Sequence, residues 1–275
     1  MPEHVFNDQA FSLRYPAVMG ILNVTPDSFS DGGLHLEVSQ AVDRVGQMIE
    51  EGARFIDVGG ESTRPGSESV SVEEELRRVL PVVEALPKDE FVLSVDTTKP
   101  EVAQAVLEAG AHLINDVSGG TEPTLVDLAE HHQAGYVLMH AQGSPKTMQE
   151  APAYDDVVGE VRVFFDERAT ALAERNLPKV WMDPGIGFGK TLEHNLALMR
   201  SLSTFRDDRW GILIGASRKS WIDELCGAPE PDQRLGGSLA AALEATCQGA
   251  EIIRAHDVRE TVQALEVTES LRQPE

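Results

Sequence analysis

Cysteine is nearly missing from this chain: Cys226 and Cys247 are the two among 275 residues. Their separation excludes a CxxC pair, and no second pair is present to build a zinc site or a disulfide framework, so both are expected to be reduced, structural thiols. Long apolar runs are missing too. No stretch approaches the roughly 18 residues a membrane helix needs, and MPEHVFNDQAF has no basic head before an apolar segment, which predicts a soluble cytoplasmic protein. Positive charge is in short supply, with 23 Lys and Arg against 46 Asp and Glu and a formal net charge of −23. Such an excess argues against nonspecific binding to nucleic acid or to an anionic membrane. Any cluster of cations in the fold therefore requires a local reason. The carboxylates sit mostly in helical segments such as SVEEELRR, where they read as a solvated face.

What is present is repetition. Short runs rich in Val, Ile and Leu recur at VMGIL (18–22), RFIDV (54–58), FVLSV (91–95), HLIND (112–116), YVLM (136–139), VWMD (180–183), GILIG (211–215) and EIIRA (251–255), each the length of a buried strand. Between them lie segments with helical spacing of apolar residues, among them VSQAVDRVGQMIEEGA, SVEEELRRVLPVVEAL, KPEVAQAVLEAGA and EPTLVDLAEHHQAG. Ser71 followed by Glu74 has the form of a capping box, and Gly52, Gly110 and Gly135 fall where helices should end. Eight alternations of strand and helix, with no proline-rich or low-complexity linker, predict an α/β fold: a single-domain (β/α)8 TIM barrel over 1–275 rather than an open doubly wound sheet.

Barrel enzymes work at the C-terminal ends of their strands. The runs here end in Asn23, then Asp57 with ESTRPG, then Asp96, Asn115 with Asp116, His140, Asp183, the SRK of 217–219, and Arg254 with His256. Every end is polar or charged, as expected of one ligand-lined mouth. Arg64, Arg218, Lys219, Arg254 and His256 form a cationic set in an acidic protein, and its target is an anion for which arginine offers bidentate contact. Asp96, Asn115 and Asp183 form an acceptor set that can bind a metal, activate a nucleophile or read a donor-rich heterocycle. A carboxylate meets an amino group beside an N–H through two parallel hydrogen bonds. Left unpaired when buried, it costs several kcal/mol, so such a site discriminates strongly.

The glycine-rich DPGIGFGKT (183–191) is not a phosphate loop, because Pro184 stands where the P-loop spacing needs glycine. Its glycines suit close approach of backbone to a flat ligand, with Phe188 as one wall. Lys219 raises a Schiff-base alternative, opposed by adjacent Arg218 and by carboxylates that would keep it charged.

GILNVTPDSFSDGG, DVGGESTRPG, SVDT, INDVSGG, MHAQGSPKTMQ, DPGIGFGK, GASRKS and IIRAHDV resemble, in order and over about 18–259, the successive signatures of the bacterial dihydropteroate synthase family. The resemblance implies an enzyme that joins 6-hydroxymethyl-7,8-dihydropterin diphosphate to para-aminobenzoate and releases pyrophosphate. It implies a pterin diphosphate site of Thr63, Arg64, Asp96, Asn115, Met139, Asp183, Phe188, Gly215, Lys219, Arg254 and His256. Among these Asp183 would take the amino and N–H edge, Lys219 would donate to the acceptor side, and Arg254 would stack on the ring. By the same resemblance Phe29, Thr63, Pro65, Ser217 and Lys219 line the para-aminobenzoate pocket, where sulfonamides compete. Mg²⁺ is expected close to Asn23 and the diphosphate. Arg64, Asp96 and Lys219 are the expected catalytic groups.

Pro26 to Gly33 would act as a lid that carries Phe29 to the arylamine. Ala141 departs from a methionine common in the family, and Ala216 occupies a variable site. The helix GGSLAAALEATCQGA is apolar or small on most sides, which we attribute to a homodimer interface. Two alternatives remain at this level: a pterin-binding methyltetrahydrofolate methyltransferase barrel, which would not need Thr63, Arg64 and His256, and a non-catalytic pterin-binding protein.

Overall fold

Two short antiparallel strands, β1 (Glu3–Phe6) and β2 (Gln9–Ser12), come first, in a stretch from which the sequence reading drew no element. Asn7 and Asp8 join them with φ of 47° and 63°, the two-residue loop that Asn and Asp tolerate and that matches the twist of a hairpin. The Asn7 amide donates to the carbonyls of Leu107 and Ala111 at 3.1 and 2.9 Å, which ties the hairpin to the rest of the fold.

The computed structural model describes residues 3–25, 34–62, 67–143 and 147–272. Eight parallel strands close into a barrel in chain order: β3 (Ala17–Asn23), β4 (Phe55–Gly59), β5 (Val92–Asp96), β6 (Leu113–Asp116), β7 (Gly135–Met139), β8 (Val180–Asp183), β9 (Gly211–Ile214) and β10 (Ile252–Ala255), which pairs back onto β3. Around them run α1 (Leu34–Glu50), α2 (Val72–Ala85), α3 (Pro100–Glu108), α4 (Pro123–His131), α5 (Val157–Ala173), α6 (Leu192–Arg200), α7 (Ser220–Cys226), α8 (Leu235–Cys247) and α9 (Val258–Arg272). The predicted (β/α)8 barrel is the observed fold. Among the described residues no helix is long and apolar enough to cross a membrane.

Alternation along the strands separates two cores. Met19, Phe55, Val92, Leu113, Val137, Trp181, Leu213 and Ile252, one from each barrel strand, pack together with Phe6 and Phe11 of the hairpin. This cluster is the filled lower half of the barrel, with the hairpin as its plug. Intervening residues such as Val18, Ile56, Leu93, Ile114 and Ile253 pack with the helices in the second cluster. Two residues further along the inward-facing parity stand Ile21, Asp57, Ser94, Asn115, Met139, Asp183, Gly215 and Arg254, and two beyond that, on the first three strands, stand Asn23, Gly59 and Asp96.

Several local expectations change in the structure. Ser71 does cap α2, accepting from Glu74 N–H at 3.2 Å, but the Glu74 carboxylate turns to Arg77 and Arg78 instead of completing the box. The reciprocal box is at Thr191 and His194, at the start of α6. Gly52 and Gly110 end helices with φ of 104° and 96°, whereas after α4 Gln133 takes the left-handed position at 49°. Gly135 instead opens β7, where a Cβ would lie 2.8 Å from Leu113 and 3.2 Å from Phe6. Cys226 and Cys247 are free, as expected, but exposed.

Candidate active site

Asn23, Gly59, Asp96 and Asn115 are successive register partners across β3 to β6, so the barrel itself brings Asn23, Asp96 and Asn115 to one rim. Asp183 pairs with Met139 at the ends of β8 and β7. Arg254, near the end of β10, closes the ring by donating from Nε to Asp57 at 2.6 Å and from Nη2 to Asp96 at 3.2 Å.

The electrostatics follow from burial. Asp96 is 6% exposed, and its Oδ1 has no hydrogen-bond partner among the described residues. Burial, helped by neighbouring Asp57, pushes its pKa up from 3.8 to about 7, against the pull of Arg254. Burial also raises Asp183, opposed by the Gly185 N–H that donates to its Oδ1 at 2.7 Å and by the charges of Lys219, Lys190 and Arg254. The Arg254 guanidinium loses from burial, yet Asp57 and Asp96 outweigh that and hold its pKa above the usual arginine value.

The other predicted groups converge unevenly. Lys219 places its ammonium 4.0 Å from the centroid of the Phe188 ring, so the cation and the expected wall of the ligand site meet. Gly215 leaves room: a Cβ there would stand 3.8 Å from Asp183 Oδ2 and 3.9 Å from the Arg254 side chain, entering the space between them. Ser217 Oγ accepts from the His256 backbone at 3.3 Å and lies 3.1 Å from its Nδ1, which joins the ends of β9 and β10. Phe29, Thr63, Arg64 and Pro65 lie outside the described residues.

Three strand-end groups expected in the mouth have other partners. Arg218, with φ of 58°, directs its guanidinium fork onto Asp257, so it belongs to the junction of α7 and α9 and not to an anion site. Asp116 accepts from Ser118 and Gly120 N–H at 2.7 and 3.0 Å and from the Tyr136 hydroxyl at 2.6 Å, and thereby shapes the loop after β6. His140 lies 3.1 Å from Lys190 Nζ, and burial with that cation lowers its pKa to about 3.

Lys190, within the glycine-rich DPGIGFGKT, is a functional-site neighbour that the sequence alone does not single out. It is 3% exposed and donates to the Phe188 carbonyl at 2.9 Å within the glycine loop and to the His140 carbonyl at 3.4 Å, and the second contact fastens the loop to the end of β7. Burial lowers its pKa to about 7 despite the attraction of Asp183. Asp57, also unassigned, is fully buried and accepts from Ser94, Asn115 and Arg254. A carboxylate two residues before the end of a strand, in place of the expected apolar residue, was the available signal for it.

Among the described residues no three His, Cys, Asp or Glu side chains are grouped as a metal cage. Asn23 supplies one hard oxygen at the end of β3, the kind of single protein ligand that suits Mg²⁺ carried largely by water and substrate phosphate.

Residues 19–256 match the family model described as pterin binding enzyme. A dihydropteroate synthase of Escherichia coli strain K12 is 51% identical over 264 residues, covering 95% of this chain and 93% of the relative. A dihydropteroate synthase of Yersinia pestis, solved in complex with a sulfonamide drug, superposes with a TM-score of 0.90 at 46% identity over 98% of this chain and 99% of that one. The Xanthomonas albilineans enzyme in complex with 7,8-dihydropteroate gives a TM-score of 0.87 at 42% identity, with all of both chains covered. These likenesses favour the synthase over the methyltransferase and non-catalytic alternatives. With its barrel, its acceptor-lined rim and these relatives, the chain belongs to the pterin binding enzyme family, among the dihydropteroate synthases, and is a transferase of folate synthesis.

Proposed function

We propose that this chain joins 6-hydroxymethyl-7,8-dihydropterin diphosphate to para-aminobenzoate, as one domain, with the pterin held at the rim of Asp96, Asn115, Met139, Asp183, Phe188, Gly215, Lys219 and Arg254. The observation that carries this is the pairing of buried acceptors with cations at one barrel end: Asp96 and Asp183 face a mouth also served by Lys219 and Arg254. The acceptors suit the amino and N–H edge of a pterin, and the Arg254 plane, held by two carboxylates, suits stacking on its face.

In the reaction the arylamine lone pair forms a C–N bond at the pterin methylene. The C–O bond breaks with its electron pair leaving on pyrophosphate, and the amine then loses a proton. A neutral arylamine is already nucleophilic, so the protein's main contribution is to stabilise the departing charge. Thr63, Arg64 and His256 serve the diphosphate. Asn23, together with the substrate's phosphates, would hold Mg²⁺, and a bound ion would supply charge neutralisation on the leaving group. Asp96, whose Oδ1 has no hydrogen-bond partner among the described residues, stands toward the positive charge that spreads over the pterin. Phe29, Pro65 and Ser217 shape the para-aminobenzoate pocket, with Thr63 and Lys219, and sulfonamides compete there.

Two further assignments complete the proposal. The free thiols suit a reducing cytoplasm. Leu225 of α7 and Val267 and Leu271 of α9 are exposed by 50%, 55% and 81%, and with the small outer face of α8 they support a homodimer through these helices. Pyrophosphate release on mixing the protein, Mg²⁺, the pterin diphosphate and para-aminobenzoate tests the activity. No release with any of several arylamines would defeat it.

A further inference from the structure

The geometry points to Asp57 as the positioning residue that sets the hydrogen-bonding polarity of the pterin floor: it commits Asn115 to face substrate as an acceptor and locks the plane of Arg254. Asp57 is fully buried in the middle of β4, one inward layer below the rim. Its Oδ1 accepts from Ser94 Oγ at 2.5 Å. Its Oδ2 accepts from Asn115 Nδ2 at 3.0 Å and from Arg254 Nε at 2.6 Å. Three strands that share no local sequence are thereby joined at one carboxylate.

A carboxylate offers acceptors, so the Asn115 amide must turn its NH2 inward to meet it, and its carbonyl oxygen is left for the mouth. An asparagine without that partner is free to present either end. A ligand edge made of an amino group and an N–H requires the oxygen; the NH2 would oppose donor with donor. Arg254 is fixed by the same atom. With Nε on Asp57 and Nη2 on Asp96, the guanidinium cannot rotate about its last torsion, so its face and remaining donors keep one orientation. Asp57 is thus the common support of two groups that the proposed function assigns to pterin binding, and the inference rests on that assignment.

Asp57→Asn keeps the shape and replaces one acceptor with a donor, so one of the three contacts must break or Asn115 must flip. Calorimetry with 6-hydroxymethylpterin should show binding weakened on the order of 10- to 100-fold, the consequence of one mispaired buried polar group. The KM for para-aminobenzoate should stay close to that of the unaltered protein. The exchange Asp57→Asn with Asn115→Asp rebuilds the donor–acceptor pair between the two positions and returns an oxygen to the mouth, but it sets the new amide NH2 against Arg254 Nε, so it should recover only the part of the affinity that residue 115 carries. It also serves where the single variant does not fold.

Asn115→Ala separates the two levels. Unchanged pterin affinity in that variant would overturn the assignment of the floor and the role of Asp57 with it. Weakened binding in Asn115→Ala beside unchanged binding in Asp57→Asn would overturn the role of Asp57 alone. Equal weakness of the single variant and the exchange, or parallel loss toward both substrates, would reduce Asp57 to a support of the barrel wall and refute the inference.

Discussion

Asp96→Asn should make the protein more stable at high pH than at low pH relative to the unaltered chain, while it impairs pterin binding. The Asp96 pKa is raised from 3.8 to about 7, first by burial and then by Asp57. A carboxyl whose folded pKa lies above its unfolded one keeps its proton longer in the folded state. Stability is therefore fully present below the unfolded value and is lost as pH climbs toward the folded one. Integrating over the two titrations, this group removes about 3 kcal/mol of stability between about pH 5 and about pH 8. Asparagine does not titrate, so the variant escapes that loss. It also gives up part of the Arg254 contact at 3.2 Å, a penalty that lowers its stability at both pH values. Urea unfolding of both proteins at each pH isolates the titration, because groups remote from residue 96 cancel in the subtraction. The stability difference, variant minus unaltered chain, should become more favourable by about 3 kcal/mol at the higher pH. An equal difference at the two values would refute a raised Asp96 and the electrostatics built on it.

Gly185→Ala should unfold at a temperature roughly 10 °C lower, since a left-handed alanine, a lost Asp183 contact and a forced loop shift together cost about 3 kcal/mol or more. The φ there is +68°, and a Cβ would stand 1.9 Å from the His140 carbonyl, a backbone atom that cannot rotate away. A melting temperature within a degree or two of the unaltered chain would contradict that packing. Chelation with EDTA should abolish pyrophosphate release and leave the melting curve in place, because the described residues offer no three-ligand metal cage. A marked loss of thermal stability on chelation would instead indicate a structural ion. Lys219→Ala should lose pterin affinity, and calorimetry showing intact binding would remove Lys219 from the site despite its 4.0 Å approach to Phe188.

The barrel was legible in the sequence because strands buried on both faces must be continuously apolar, and eight such runs separated by amphipathic helices have few other ways to close. Runs such as VWMD and GILIG carry that information within four or five residues. The rim was legible for the same local reason: a polar residue at the end of a buried run marks where the chain leaves the core. The hairpin was missed because EHVF and QAFS are short and their partner surface, the barrel floor around Trp181 and Phe55, exists only after closure.

The sequence by itself determined where the barrel strands run and end, and so which positions stand near the mouth, although Asp116, His140 and Arg218 turn from it to other partners. Tertiary structure alone decided what each of them does there. Arg218 and Arg254 look alike as arginines at strand ends, yet one forks onto Asp257 and the other onto Asp57 and Asp96. Asp57 meets Asn115 across 58 residues and Arg254 across 197, distances over which spacing carries no signal. Hydrogen-bond partners and desolvation depend on through-space approach inside a closed barrel, and these raise Asp96, lower His140 and orient Asn115.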